Sequence, residues 1–210
     1  MSLQEKAEQR ARAALLDGFE FAPWPKTARL FRDVVITEKI DGTNSAIHVA
    51  EDGRVAAQSR RRLITPDDDN FGFARWVHDN TADLEHILGP GTHFGEWWGK
   101  GIQRGYGIDG RRFSLFNTAR WNEVSESGTS MYSRAEQSDL CDVVTVVPVL
   151  DAGTFSDARV IDVLAELKRG GSFAASGFMD PEGVCIYHTQ TRSVFKVTLD
   201  HNDAGKWEAA

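Results

Sequence analysis

The sequence predicts an α+β protein, and three observations carry that prediction. Short alternating apolar and polar runs recur beside Asp-Gly pairs, as antiparallel strands and their turns do. Residues 154–171 show a 3.6-residue apolar period between a Ser/Asp start and terminal glycines, the pattern of a helix. The two kinds of segment are mixed without the regular βαβ alternation of a parallel sheet. The chain has 210 residues, 41% of them hydrophobic, which is enough for one sizeable core. A single domain over 1–210 is therefore expected.

Residues 3–16 predict a short amphipathic helix with Leu3, Ala7, Ala11, Ala14 and Leu15 on one side. Gly18, Pro23 and Pro25 break it. Residues 31–36, 45–50 and 54–59 read as strands joined by "DGTN" and "EDGR", both hairpin signals. Residues 67–80 predict a helix capped near Asp69 or Asn70, with Phe73, Trp76 and Val77 inward. A short helix is expected over 82–88. "THFGEWWG" and "RRFSLFNTARW" read as strands on either side of a glycine-rich connection. The β-branched run 143–150 predicts one buried strand. The helix at 154–171 would turn Val160, Val163, Leu164 and Leu167 inward, and 182–188 with 193–199 predict a closing antiparallel pair.

Several function classes are excluded or disfavoured. No run approaches the roughly 18 to 20 apolar residues of a membrane span. The first 16 residues lack a signal-peptide core, so a cytosolic protein is expected. Cys141 and Cys185 form no CxxC pair and no zinc-spaced cluster, and they read as small buried apolar residues. The net charge of −7 argues against a protein that coats nucleic acid nonspecifically. Basic residues nevertheless cluster twice: Arg60-Arg61-Arg62, then Lys100, Arg104, Arg111 and Arg112. Asp67-Asp68-Asp69 reads as a solvated loop and helix cap rather than a metal site.

Lys39 stands out. It lies between a strand and the "DGTN" turn, flanked by Glu38 and Asp41, and reads either as a solvated turn residue or as a nucleophile. "EKIDGTN" resembles the nucleotidyl-transfer motif of the covalent nucleotidyltransferases, most of all the RNA ligase 2 group. "QSRRR", "FGEWWGKGIQ", "FSLFNT", "EGVCIY" and "FKV" follow in that family's order, so the resemblance spans residues 38–198. It implies the ligase adenylylation fold, with mainly antiparallel twisted sheets and flanking helices. It also implies an ATP-dependent RNA ligase that uses Mg²⁺ or Mn²⁺ and joins RNA 5′-phosphate and 3′-hydroxyl ends, a repair reaction. Lys39 would carry AMP. Glu38, Asn44, Arg60, Glu96, Phe116 and Lys196 would bind the nucleotide, and Glu182 would serve the metal.

Physical chemistry agrees with these roles. A lysine attacks only when neutral, and its free pKa of about 10.4 requires help from nearby cations or burial. Lys196, Arg60 and a divalent ion would also neutralise a triphosphate. An apolar ring such as Phe116 suits base stacking, and the Glu96 carboxylate suits ribose hydroxyls. Lys100, Arg104, Arg111 and Arg112 would track the RNA backbone.

Two departures from the family pattern stand out. The last segment usually carries two lysines, two residues apart; here Thr198 stands in the second place, so one phosphate contact is expected either to be weakened or to be supplied by Lys206 or an arginine. The RNA ligase 2 group also carries a C-terminal domain, which this sequence is expected to lack, and a protein partner could replace it. The alternatives are a DNA ligase or capping-type enzyme of the same superfamily, or a nucleotide- or RNA-binding module without catalysis.

Overall fold

The computed structural model describes residues 2–15, 17–122, 135 and 138–200. The chain divides into two units, 1–30 and 31–210. The first carries helix α1 (Leu3–Leu15). Ser2 and Glu5 cap it reciprocally: the Ser2 Oγ accepts from the Glu5 N–H, and the Glu5 carboxylate accepts from the Ser2 N–H.

The second unit is two sheets with helices on them. Six strands form the larger sheet in the order β4-β3-β2-β5-β6-β7. These are β2 (Thr43–Val49), β3 (Val55–Ser59), β4 (Leu63–Ile64), β5 (Gly91–Gly99), β6 (Arg111–Leu115) and β7 (Val144–Val146). Only the β6–β7 pair is parallel. The smaller sheet has the order β10-β9-β1-β8 and is antiparallel throughout. It contains β1 (Asp33–Lys39), β8 (Val149–Thr154), β9 (Gly183–His188) and β10 (Ser193–Thr198). This is the expected α+β architecture.

Each sheet buries one face under helices. Ile47, Trp97, Phe113 and Leu115 of the larger sheet pack with Phe73 and Val77 of α2 (Phe73–Asp79) and with Leu84 and Ile87 of α3 (Thr81–Leu88). The helix expected over 67–80 starts only at Phe73, with Gly72 at its N-cap position, and the Asp69 carboxylate reaches forward to accept from the Ala74 and Arg75 N–H groups. In the smaller sheet, Val34, Ile36, Val184 and Ile186 pack with Val160 and Leu167 of the 157–170 helix. That helix starts at Ser156, whose Oγ accepts from the Arg159 N–H. A third cluster, with Ile40, Trp98, Tyr106, Val147 and Ala175, fills the joint between the sheets.

Three sequence expectations need correction. "DGTN" is not a hairpin turn: β1 pairs with β8 and β9, while β2 pairs with β3 and β5. Residues 40–42 instead carry the chain from one sheet to the other. Gly42 is not at positive φ, as a type I′ turn would need; a Cβ there would lie 2.5 Å from the Trp97 carbonyl oxygen and 2.7 Å from the Trp98 Cβ. "EDGR" does close a hairpin, with Gly53 at φ 80°. Residues 143–150 are two strands in different sheets. Pro148, which has no N–H for a ladder, separates them. The Val147 N–H donates to Leu115 O in the larger sheet, and Pro148 O accepts from the Glu38 N–H in the smaller one. Finally, the strand at 111–121 stops at Leu115. Asn117 Oδ1 accepts from the Arg120 N–H and starts a short helix, α4 (Thr118–Asn122). The 157–170 helix is therefore α5.

The close approach of β5 and β6 gives a stability test. A Cβ on Gly95 would meet Ser114 O at 2.6 Å and the Phe113 ring at 2.7 Å, whereas one on Gly110 meets nothing within 4 Å. Gly95→Ala is expected to cost about 1–3 kcal/mol in urea unfolding, and Gly110→Ala to be neutral or slightly stabilising.

Candidate active site

The site forms where the two sheets meet, and strand parity decides which side chains reach it. Along β1, Val34, Ile36 and Glu38 are buried, while Thr37 and Lys39 face the other way. Residues opposite one another in a sheet share a face. One row therefore contains Lys39, Gly183 and Thr198, and the next contains Thr37, Cys185 and Lys196. Lys196 thus lies on the Lys39 face, two strands over. Gly183 puts no side chain between Lys39 and Thr198.

The larger sheet contributes a facing row of Asn44, Glu96, Ser114 and Thr145. Glu96 is 6% exposed. Its carboxylate accepts from the Gly42 N–H at 3.1 Å and from Asn44 Nδ2 at 2.6 Å. Burial pushes its pKa up to about 7, against the hydrogen bond from Asn44 and the charge of Lys39. Ser114 Oγ bonds Thr145 Oγ1 at 2.7 Å and accepts from Trp98 Nε1 at 2.8 Å, which fixes the floor beside Glu96.

Lys39 Nζ lies 2.5 Å from Glu182 Oε1, with both side chains largely shielded. Glu182 Oε2 is buried and has no hydrogen-bond partner among the described residues. A hard, anionic oxygen left unpaired in a polar cleft suits a divalent cation. Among the described residues no group of three or more His, Cys, Asp or Glu side chains could hold a metal by itself. The fit is therefore to an ion such as Mg²⁺ or Mn²⁺, which takes one or two carboxylates and fills its shell with water or phosphate oxygens.

Arg60 follows β3 and Phe116 follows β6, both in the larger sheet. Arg60 is exposed, one residue beyond the Ser45–Ser59 pair, and with Thr43, Ser59, Arg61, Arg62 and Asn70 it lines a hollow of about 340 Å³. Phe116 is 43% exposed and two residues past Ser114, whereas Phe113 and Leu115 point into the core. The alternation around Phe116 therefore places it off the core face.

Five of the expected contacts are engaged elsewhere. Glu38 is 1% exposed, and its carboxylate accepts from Ser172 Oγ at 2.6 Å and from the Phe173 and Ala174 N–H groups. Burial raises its pKa, opposed by those three bonds. Its side chain positions the 172–174 turn and does not face the cleft, because it shares the core parity of Val34 and Ile36. The four residues expected to track RNA each have a partner within the chain. Arg104 is bound to Asp41, Asp180 and Asp200. Arg111 donates to Lys100 O and Phe71 O, and Arg112 donates to Ala174 O while lying over the Trp98 ring. Lys100 is exposed and pairs with Asp109 at 2.5 Å. Arg104 has 16% of its side chain exposed, and Lys100 and Asp109 pair at the surface. Lys206 lies outside the described residues.

Sequence reasoning missed two participants. Cys185 is in the row between Thr37 and Lys196; burial raises its thiol pKa, and the charge of Lys39 opposes this. Tyr106 is buried at φ 52°, a conformation costly for a residue with a Cβ, and its hydroxyl accepts from the Asp41 N–H at 2.8 Å. Neither position is visible before strand pairing is known.

The description "RNA ligase" fits the family whose profile matches residues 32–198. No curated protein sequence matches the chain. Among solved structures, an alanine variant of Naegleria gruberi RNA ligase with ATP and Mn aligns over 80% of this chain and 49% of its own, at 18% identity and a TM-score of 0.54. A second variant, with AMP and Mn, aligns over 82% and 53% at 19% identity and 0.54. The same organism's RNA ligase with PPi aligns over 80% and 49% at 19% identity and 0.52. These likenesses show a shared fold. The chain spans about half the length of those proteins.

The raised Glu96 pKa predicts a pH effect. The folded state holds this proton more tightly than the unfolded chain, whose carboxyl titrates near 4.5. The stabilisation is fully present below that pH and is lost as pH rises to about 7. In urea unfolding, Glu96→Gln is expected to remove this decline, so its stability relative to wild type should improve between those pH values. Parallel profiles would contradict the assignment.

Proposed function

Because the chain belongs to the RNA ligase family, we propose that it joins RNA ends with ATP through a lysyl-AMP intermediate on Lys39. The observation that carries this reading is the placement of Lys39 at the foot of the cleft. Its Nζ touches Glu182, Glu96 lies opposite, and Lys196 shares its face. The ATP, AMP, PPi and Mn bound to the Naegleria gruberi enzyme support the same assignment of substrate and metal.

In the first step the neutral Lys39 Nζ attacks the α-phosphorus of ATP. A P–N bond forms, the bond to the bridging oxygen breaks, and pyrophosphate leaves with its electron pair. The proton lost from Nζ has a nearby acceptor in Glu182 Oε1. In the second step an oxygen of an RNA 5′-phosphate attacks the same phosphorus, the P–N bond breaks, and Lys39 departs as the amine, taking back the proton held at Glu182. In the third, an RNA 3′-hydroxyl attacks the 5′-phosphate and AMP departs. In-line placement and charge neutralisation supply most of the acceleration in such transfers.

The side chains divide this work by position. Lys196 offers its ammonium to phosphate oxygens. Asn44 holds Glu96 in place, and Glu96 is the acceptor for ribose hydroxyls. Phe116 gives the base an apolar ring, and Arg60 provides a free guanidinium for phosphate. Glu182 would hold Mg²⁺ or Mn²⁺ through Oε2. When bound, such an ion neutralises phosphate charge. The reaction needs no membrane, and no described helix is long and apolar enough to cross one. We assign the enzyme to RNA repair in the cytoplasm, acting through one nucleotidyltransferase domain.

Incubation with α-labelled ATP and Mn²⁺ or Mg²⁺, followed by denaturing electrophoresis, tests the intermediate. Wild type is expected to retain a label that is stable to base and labile to acid, and Lys39→Ala to retain none. A wild type that arrives unadenylylated by intact mass and still takes no label would refute the reading. Glu182→Ala is expected to lower the labelling rate by about 10²–10³, the usual loss when a group that stabilises transferring charge is removed. A rate equal to wild type would remove Glu182 from the metal site.

A further inference from the structure

Three strand ends carry the groups of the proposed reaction, and one guanidinium joins all three. The last paired row of the smaller sheet is Lys39, Gly183 and Thr198. Past it, β1 runs on to Asp41, β10 runs on to Asp200, and the chain leading into β9 passes through Asp180 before reaching Glu182. Arg104 reaches into this divergence from the glycine-rich connection between β5 and β6. Its Nε lies 3.2 Å from Asp41 Oδ2, and its first terminal nitrogen lies 2.8 Å from Asp180 Oδ2 and also donates to Asp180 O at 3.2 Å. Its second terminal nitrogen binds Asp200 Oδ2. The side chain is 16% exposed. Burial opposes its charge, and Asp180 and Asp200 outweigh that opposition.

We propose that Arg104 is a positioning residue, which locks Lys39, Glu182 and the Lys196 strand into one geometry by clamping Asp41, Asp180 and Asp200. This rests on the reading of Lys39 as the adenylylated lysine. A planar guanidinium with five donors in a fixed fork can serve these four acceptors at once, whereas an ammonium has three donors. Two further hydrogen bonds brace the same edge. The Leu199 N–H donates to Glu182 O at 2.9 Å, and the Asp41 N–H donates to the Tyr106 hydroxyl at 2.8 Å. Tyr106 is two residues from Arg104, so one short segment grips the β1 end twice. Arg104 touches none of the reacting atoms. Its effect runs through the spacing of Lys39, Glu182 and Lys196, and transfer rates are steeply sensitive to such spacing.

The test compares wild type, Arg104→Ala, Asp200→Asn and the double variant, all as the full chain. The single-turnover rate of Lys39 labelling at saturating ATP is read beside ATP affinity. Arg104→Ala is expected to slow labelling on the order of 10²-fold, with ATP affinity within about threefold of wild type. The double variant is expected to lose no more than Arg104→Ala, because the two changes break one clamp. An unchanged rate, a loss confined to ATP affinity, or additive losses would overturn the proposal. If circular dichroism shows Arg104→Ala unfolded, Asp180→Asn and Asp200→Asn carry the test, each expected to slow labelling severalfold and each overturning the proposal if it does not. A second readout needs no ATP: competitive acetylation of Lys39 relative to exposed Lys168, followed by mass spectrometry. Release of the clamp is expected to raise the Lys39 ratio severalfold, and an unchanged ratio would overturn the proposal. A wild type that takes no label refutes the function, while the acetylation ratio still decides the clamp.

Discussion

Gly42 has no room for a side chain, and the site depends on that. The chain must leave the smaller sheet after Lys39 and enter the larger one at Thr43. It passes so close to β5 that a β-carbon would overlap the Trp97 carbonyl and the Trp98 side chain. The same closeness lets the Gly42 N–H reach Glu96. Lys39 on one sheet and Glu96 on the other are brought together by a three-residue crossing with no slack. Val147 and Pro148 make a second crossing alongside it, bonded to Leu115 on one side and Glu38 on the other.

Three buried or half-buried glutamates surround this joint, and their surroundings give them different work. Glu38 has three donors and sits among core residues, so it is a structural anchor. Glu96 has two donors and a pKa raised toward neutrality, so its charge is the more readily altered by whatever enters the cleft. Glu182 has a lysine on one oxygen and, among the described residues, no partner on the other. An unpaired buried oxygen is costly in isolation, and a site that binds a cation tolerates that cost until the cation arrives. The basic residues divide in a similar way. Arg104, Arg111 and Arg112 have partners within the protein, whereas Arg60 and Lys196 are exposed.

Much of the fold was legible because it follows local rules. The α5 helix has its cap, its apolar stripe and its terminal glycine within one stretch, and it formed over 157–170. The "EDGR" hairpin is equally local. The failures were non-local. "DGTN" carries hairpin residues, but the partners of β1 are β8 and β9, more than a hundred residues away, and hydrogen bonding to them overrides the turn preference. The 143–150 run looked continuous because its side chains are β-branched, yet one missing N–H at Pro148 was enough to divide it between two sheets.

The sequence by itself determined the alphabet of the site: a lysine beside Asp-Gly, glutamates before "WWG" and "GVC", and a lysine in the last strand, in an order that resembles one family. Those identities are covalent facts and survive any error in the fold. Only the tertiary structure decided which of them face one another. Strand parity turned Glu38 inward and Lys39 outward, and sheet pairing put Cys185 and Lys196 in one row. It also brought Arg104 against three carboxylates, Asp41, Asp180 and Asp200. The reason is physical: a charge in a sequence has no partner until the chain folds, and its function is set by the groups it then meets.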